Sequence, residues 1–299
     1  MEHINSQMYE ELFLCNPYGL KHDEKQKYLK KGLSTLIGYH RANCKEYRKI
    51  TDFIWFDNEC SSLKSEDIPV EDMPMIPIRI FKEYDLLSVP EGDIAKVLTS
   101  SGTSGQKVSK VYLSADNTSL QTKVLAHIMS SYLGDNRLPM LVLDTSLVRK
   151  DRAMFSARGA GIIGFSVFGR KPFYVLDNNM EIDVEGMKKY IDDHKGERIL
   201  LFGYTYMIWQ YVIKKLREKK ISLDIEDGIL FHVGGWKKLQ AEAVSAKDFA
   251  DSIQSTMGNI KVYNYYGMAE QLGSIFVECE YGHMHCSNYS DEIGRASCR

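Results

Sequence analysis

Thr99-Ser100-Ser101-Gly102-Thr103-Ser104-Gly105-Gln106, followed by Lys107 and Lys110, is flanked by Ala95-Lys96-Val97-Leu98 and by Lys110-Val111-Tyr112-Leu113. Both flanks read as short strands. Between them, glycines free backbone N–H groups to turn toward an anion, hydroxyls add donors and lysines add positive charge. The same composition also makes an ordinary polar hairpin turn. A Walker loop is excluded, because it needs Gly directly before Lys-Ser/Thr and opens a helix. Here Gln106 precedes Lys107 and Val108 follows it. The loop belongs to a strand–loop–strand unit.

Beyond it the pattern alternates. Strand-like runs cover 138–143, 173–176, 198–202, 228–232 and 260–263. Helical patterns separate most of them, over 117–133, 184–193, 205–219 and 239–257. Apolar strands alternating with helices imply an α/β fold with a mainly parallel, doubly wound sheet and right-handed crossovers. Such sheets bind ligands at the carboxyl ends of their strands. Gly234-Gly235 and Tyr266-Gly267 each follow a strand and fall at such ends. Before the loop, Asp23 to Ile50 reads as one amphipathic helix, with Leu29, Leu33, Leu36, Ile37, His40, Cys44 and Tyr47 at three-four spacing. Asp23 is its expected cap, with Gln26 three residues on. The expected division is 1–94 as a helical segment packed on the main domain, 95–291 as the α/β core, and 292–299 as a tail. That tail reads like translated adapter DNA, so the natural chain is expected to continue past Asp291.

Bulk properties narrow the function. The chain has 299 residues, 44% hydrophobic and 26% charged, as ordinary globular proteins do. A formal charge of -2 gives no basic field for nucleic acid. No apolar run approaches the ~20 residues of a membrane span, and no secretory signal opens the chain. Six scattered cysteines in a chain of this size do not make a disulfide framework, and a cytoplasmic protein with reduced thiols is expected. Cys279, His283, His285 and Cys286 match metal-ligand spacing only loosely, without a Cys-x-x-Cys. His194 and His232 read as structural or surface residues.

Far downstream lies Val262-Tyr263-Asn264-Tyr265-Tyr266-Gly267-Met268-Ala269-Glu270-Gln271, and before it Phe231-His232-Val233-Gly234-Gly235-Trp236-Lys237. With the hydroxyl loop, these resemble the core motifs of the adenylate-forming superfamily: a Ser-Gly-Thr-Thr-Gly phosphate loop, a strand-end Gly-Gly turn and an Asn-x-Tyr-Gly-x-Thr-Glu segment. Ala269 stands where Thr is usual. Within that superfamily the chain most resembles the LuxE-like acyl-protein synthetases of bacterial luminescence operons. Asn16-Pro17-Tyr18, Cys44-Lys45-Glu46-Tyr47, Pro77-Ile78-Arg79-Ile80-Phe81-Lys82 and Phe155-Ser156-Ala157-Arg158-Gly159-Ala160-Gly161 carry the likeness in the same order.

The resemblance implies ATP-dependent activation of a long-chain fatty acid as acyl-adenylate, with Mg²⁺, and transfer of the acyl group to a protein cysteine and on to a reductase partner. Ser100, Ser101, Gly102, Thr103, Ser104 and Gly105 would hold the β- and γ-phosphates. Lys107 or Lys110 would supply charge, Lys110 in the catalytic role; the spacing departs from the superfamily's Gly-x-Pro-Lys. Glu270 would carry the metal. Tyr266, with Gly267 after it, would stack on adenine, Asn264 would face its amine, and Gly234 and Gly235 would let backbone approach the ring. Ala269 cannot donate to the α-phosphate. The acceptor cysteine and the ribose-binding Asp would lie beyond this chain, so none of Cys15, Cys44, Cys60, Cys279 or Cys286 takes the acceptor role, and Cys298 lies in the expected tail. The glycine-rich 155–164 segment admits two readings, a wall against an acyl chain or close helix–sheet packing. Two other functions compete: a CoA ligase related to phenylacetate-CoA ligase, and a non-catalytic acyl- or nucleotide-binding module favoured by Ala269 and the irregular lysine spacing.

Overall fold

The computed structural model describes residues 6–56, 68–100, 107–149 and 157–294. The chain divides into two compact units. The first holds residues 1–131, 267–275 and 286–299; the second holds 132–266 and 276–285. Residues 95–131, grouped from sequence with the α/β core, belong to the first unit.

In the first unit, helices span Ser6–Leu14, His22–Asn43 and Lys45–Thr51. The single helix expected over 23–50 is therefore broken at Cys44. That residue is extended (φ -122°, ψ 107°), and its N–H still closes on the His40 carbonyl at 2.8 Å. Its Sγ then accepts the Tyr47 N–H at 3.5 Å and starts the next helix. Asp23 lies inside the first turn and does not cap. The residue before the helix is Lys21, whose N–H is accepted by the Glu24 carboxylate at 3.3 Å. Strand β1 (Lys96–Thr99) pairs antiparallel with β2 (Lys110–Leu113). A helix over Ala115–Leu133 follows. The segment after residue 286 fastens the start of the chain. The Asn288 N–H donates to Pro17 O at 2.7 Å, its amide donates to Asn16 O at 2.7 Å, and Asp291 takes Lys25 at 3.2 Å and Gln26 at 2.5 Å.

The second unit is built on strands β3 (Leu138–Thr145), β4 (Gly169–Leu176), β5 (Ile199–Tyr204), β6 (Ile225–Val233), β7 (Gly258–Tyr266), β8 (Phe276–Glu278) and β9 (Met284–His285). Their order is β4-β3-β5-β6-β7-β8-β9, with the first five parallel and the last two antiparallel. Helices on both faces explain the uninterrupted apolar run of β3, which is buried almost throughout. On one face Leu141, Leu201, Leu230 and Ile260 meet helices Val184–Asp193, 205–218 and Ala246–Met257. On the other, Phe165 of helix Ala157–Phe165 stacks on Phe202 at 4.2 Å, and Tyr263 stacks on Phe231 at 5.3 Å.

The helix expected over 239–257 is also two elements. A 3₁₀ turn covers Lys237–Glu242, and Ser245 begins the α-helix by accepting the Asp248 N–H at 3.1 Å. A hydroxyl that caps competes with continuing the helix through it. Helix 205–218 is π-wound over Ile208–Ile213.

Gly258 turns the last of these helices into β7. Its φ is +110°, and a Cβ there would sit 2.5 Å from Ile225 N and 2.6 Å from Ile225 O. Backbone cannot move aside as a side chain can. Gly258→Ala should lower stability by roughly 2–4 kcal/mol in urea unfolding. Gly38, inside a helix with nothing within 4 Å of a Cβ, is the contrast. Gly38→Ala should raise stability by ~0.5–1 kcal/mol.

Candidate functional site

The hairpin of the first unit fixes the stem of the hydroxyl loop. Ser100 N–H donates to Ser109 O at 3.1 Å, and Ser100 Oγ accepts the Ser109 N–H at 2.9 Å. Ser100, expected among the phosphate ligands, thus closes the stem with its hydroxyl. Ser101, Gly102, Thr103, Ser104 and Gly105 lie outside the described residues. Lys107 pairs with Glu83 at 2.9 Å and Lys110 with Asp85 at 3.3 Å, and the Tyr112 hydroxyl also donates to Asp85 at 2.6 Å. Both pairs are exposed, so they hold the lysines loosely and can exchange carboxylate for another anion at little cost.

In the second unit the carboxyl ends of β5, β6 and β7 form one edge. Register sets Tyr204 beside Val233, Val233 beside Tyr265, and His232 beside Asn264. Gly234 and Gly235 leave β6 at this edge, and Asn264 and Tyr266 alternate onto the face that carries His232. The sheet thus brings together Gly234, Gly235, Asn264 and Tyr266. The Tyr266 ring is half-exposed and lies 6.2 Å from Phe276 at 28°. The Asn264 amide makes no side-chain hydrogen bond among the described residues, which leaves its donor and acceptor for a ligand.

The Gly-Gly turn is held by a short polar chain. Thr205 Oγ1 donates to Gly234 O at 2.6 Å, and His232 Nδ1 lies 2.9 Å from Thr205 Oγ1. A hydroxyl has one proton, and it is directed at Gly234, so His232 Nδ1 must carry its own and donate. Gly234 takes φ +83° at the end of this chain. His232 is a structural residue: it is buried, and burial lowers its pKa to about 4.

A second cluster was not expected from sequence. In the order β4-β3-β5 the crossovers reverse direction between β3 and β5, the position where doubly wound sheets open a crevice. There the fully buried Asp144 lies 3.2 Å from Arg158 Nε, and Arg158 Nη1 donates to the Tyr206 hydroxyl at 3.0 Å. Burial raises the Asp144 pKa while Arg158 opposes the rise. Burial, with Asp144 adding, pushes the Tyr204 hydroxyl up to about 12. Tyr204 lies between two glycines. A Cβ on Gly161 would meet its hydroxyl at 2.5 Å, and one on Gly234 would meet its ring at 3.3 Å. The described part of the glycine-rich segment therefore packs closely on β5. Arg158 and the glycines were the signal in the sequence; Asp144 carried none.

Gly267 and Glu270 belong to the turn after β7, in the first unit. Glu270 is half-buried, with no ion pair among the described residues, and a lone carboxylate suits a hard cation. No group of three or more His, Cys, Asp and Glu side chains converges as a metal site among the described residues. Cys279 and His283 instead close a turn through their backbones, at 2.9 Å. Cys60 and Cys298 lie outside the described residues. No helix among the described residues is long and apolar enough to cross a membrane.

Two solved structures share this architecture, both of 2-hydroxyisobutyryl-CoA ligase in complex with 2-HIB-AMP and CoA. One is an open conformation, 18% identical over 86% of this chain and 53% of its own, with a TM-score of 0.59. The other, in the thioesterification state, is 19% identical over 89% and 54%, also at 0.59. The fold is that of the adenylate-forming ligases, and this chain spans about half the length of those two. The profile of the family "Acyl-protein synthetase, LuxE" matches residues 2–298, and the chain belongs to that family. Among curated relatives, the long-chain-fatty-acid–luciferin-component ligase of Aliivibrio fischeri is 22% identical over 92% of this chain and 71% of its own length. That of Photorhabdus luminescens is 32% identical over 32% and 77%.

Two measurements test the local account. An unfolded imidazole binds its proton below pH ~6.5, whereas buried His232 refuses it until about 4. Its contribution is whole above pH ~6.5 and is lost as pH falls toward 4, on the order of 3 kcal/mol. Urea midpoints should fall over that window in the natural chain and less steeply in His232→Asn. Separately, Gly161→Ala should destabilise by ~1–3 kcal/mol through the Tyr204 hydroxyl. Adding Tyr204→Phe leaves the ring carbon at 3.4 Å as the nearest contact and should restore most of the loss. Simple additivity of the two changes would contradict the contact.

Proposed function

We propose that this chain is the adenylating part of an acyl-protein synthetase, activating a long-chain fatty acid with ATP and Mg²⁺. The observation that carries the reading is the meeting, across β6 and β7, of the Gly234-Gly235 turn with Asn264 and Tyr266. Backbone without a Cβ, a free amide and a half-exposed ring on one edge suit a purine: the turn approaches its plane, Asn264 pairs with its amine and Tyr266 covers a face. The hydroxyl loop would take the β- and γ-phosphates. Lys107 or Lys110 would leave its exposed carboxylate partner for them, and Glu270 would hold the metal.

In the reaction a carboxylate oxygen of the fatty acid attacks the α-phosphorus, and the bond to pyrophosphate breaks. Acyl-adenylate and pyrophosphate result. A cysteine thiolate then attacks the acyl carbonyl and AMP leaves, giving a thioester that an acyl-reductase partner would accept. The relatives' name, with its luciferin component, supports a partner in light-emitting chemistry. Cytoplasmic residence fits ATP as the co-substrate.

The test is fatty-acid-dependent exchange of labelled pyrophosphate into ATP by the full-length protein. Exchange should appear with tetradecanoate and Mg²⁺ and be abolished by Gly102→Val or Gly105→Val, which put a β-branched side chain where backbone must approach phosphate. Glu270→Gln should keep the fold and lose the Mg²⁺-dependent exchange. Normal exchange in soluble Gly102→Val would remove the loop from the mechanism. Tetradecanoyl-CoA appearing on addition of CoA would favour a CoA ligase, and no exchange at all would leave a binding module.

A further inference from the structure

Within the first unit a cavity of about 770 Å³ opens along β2, a size proper to small-molecule sites. Its wall includes Leu36, Tyr39, Phe81, Val111 and Leu120, all left half-exposed, around the buried Leu113 and Cys44. Three polar groups of the wall are engaged with one another. The Tyr39 hydroxyl donates to Ser88 O at 2.8 Å, and His40 Nδ1 lies 2.7 Å from Ser88 Oγ. Burial lowers the His40 pKa, which disfavours the charged ring. Charge is confined to exposed positions: Lys110, Lys123, Glu10 and Asp116. Lys123 has no ion pair among the described residues.

We propose that this cavity holds the hydrocarbon chain of a long-chain carboxylic acid, with its carboxylate toward Lys110. Three observations select that occupant. First, Tyr39, His40 and Ser88 engage one another and apolar side chains supply much of the wall, so a peptide would leave N–H and C=O groups unsatisfied there, whereas a hydrocarbon has none to lose. Second, half-exposed leucines, valine and aromatics at a concave surface gain by covering apolar area. Third, β2 both lines the cavity and carries the hydroxyl loop at its start. From Lys110 to Leu113 the strand runs ~10 Å along the wall, so an acid lying there has its head where the loop closes and its tail deeper. The inference rests on reading that loop as the phosphate site. It gives the acyl chain a location distinct from the glycine-rich segment on β5.

The experiment uses tetradecanoic acid bearing a diazirine near its tail, irradiated with the 299-residue chain in the absence of ATP. Labelled peptides are then mapped by mass spectrometry. Labels should fall within 36–47 and 111–120 and be competed by unlabelled tetradecanoate. Leu36→Trp with Leu120→Trp should cut labelling about tenfold by filling the cavity. Val111→Phe is the milder variant should the double one fail to fold. Labels in 157–165 or on β5 to β7, competed labelling unchanged by both variants, or none that is competed would overturn the proposal. Pyrophosphate exchange on the same proteins separates this from the broader reading. Cavity labelling without exchange keeps the site and removes the activity. Exchange insensitive to Val111→Phe and to acyl length keeps the activity and removes the site.

Discussion

The parallel pairing of β6 with β7 governs everything the second unit presents. It runs from Ile225 opposite Gly258 to Val233 opposite Tyr265. A slip of one residue would send Asn264 and Tyr266 to the far face and bring Tyr263 and Tyr265 in their place. The register is held from both sides of the sheet. Gly258 admits the close start, while Tyr263 stacks on Phe231 and Tyr265 lies 5.2 Å from Phe165. The aromatic face therefore aims the polar one. Residues without any contact to a ligand decide whether Asn264 can meet it.

Buried polar groups at the same edge act by positioning. A buried ion pair is weak evidence for stability, since desolvation offsets much of its attraction. Asp144 and Arg158 instead tie the start of helix Ala157–Phe165 to the end of β3. His232 and Thr205 do the like for the Gly-Gly turn, joining the end of β6 to the start of the helix after β5. Both links join a strand end to a crossover helix, at the places where a doubly wound sheet would otherwise leave loops to set the geometry.

Much of this was legible because each signal is local. Strands buried on both faces leave unbroken apolar runs, so β3, β5 and β6 announced themselves. Gly234-Gly235 and Asn264-x-Tyr266 are contiguous strings. The helix breaks were harder to see. Cys44 continues the three-four pattern and still interrupts the helix, because its backbone turns extended and its sulfur caps the next one. Ser245 interrupts by the same competition. Asp144, Arg158 and Tyr204 could not be read together, as they come from three separate elements and meet only at the reversal of strand order. The apolar cavity was equally hidden: its wall draws on helix His22–Asn43, β2 and helix Ala115–Leu133, whose leucines each read as ordinary core.

The string from Asn264 to Glu270 also changes its support midway. Asn264 and Tyr266 are on β7 and inherit the sheet's register, whereas Gly267 to Glu270 belong to the other unit. There the chain is held differently. Gln271 N–H donates to Met268 O at 3.2 Å, Gly273 takes φ +72° where a Cβ would lie 3.4 Å from Gln121 Cα, and Ser274 and Ser290 share a hydrogen bond of 2.6 Å. Seven consecutive residues thus answer to two cores. A change confined to the sheet moves the amide and ring proposed for the base, and a change near Gln121 or Ser290 moves the carboxylate proposed for the metal. The continuity of the motif in sequence reflects chain economy, and its two halves are placed by separate packing.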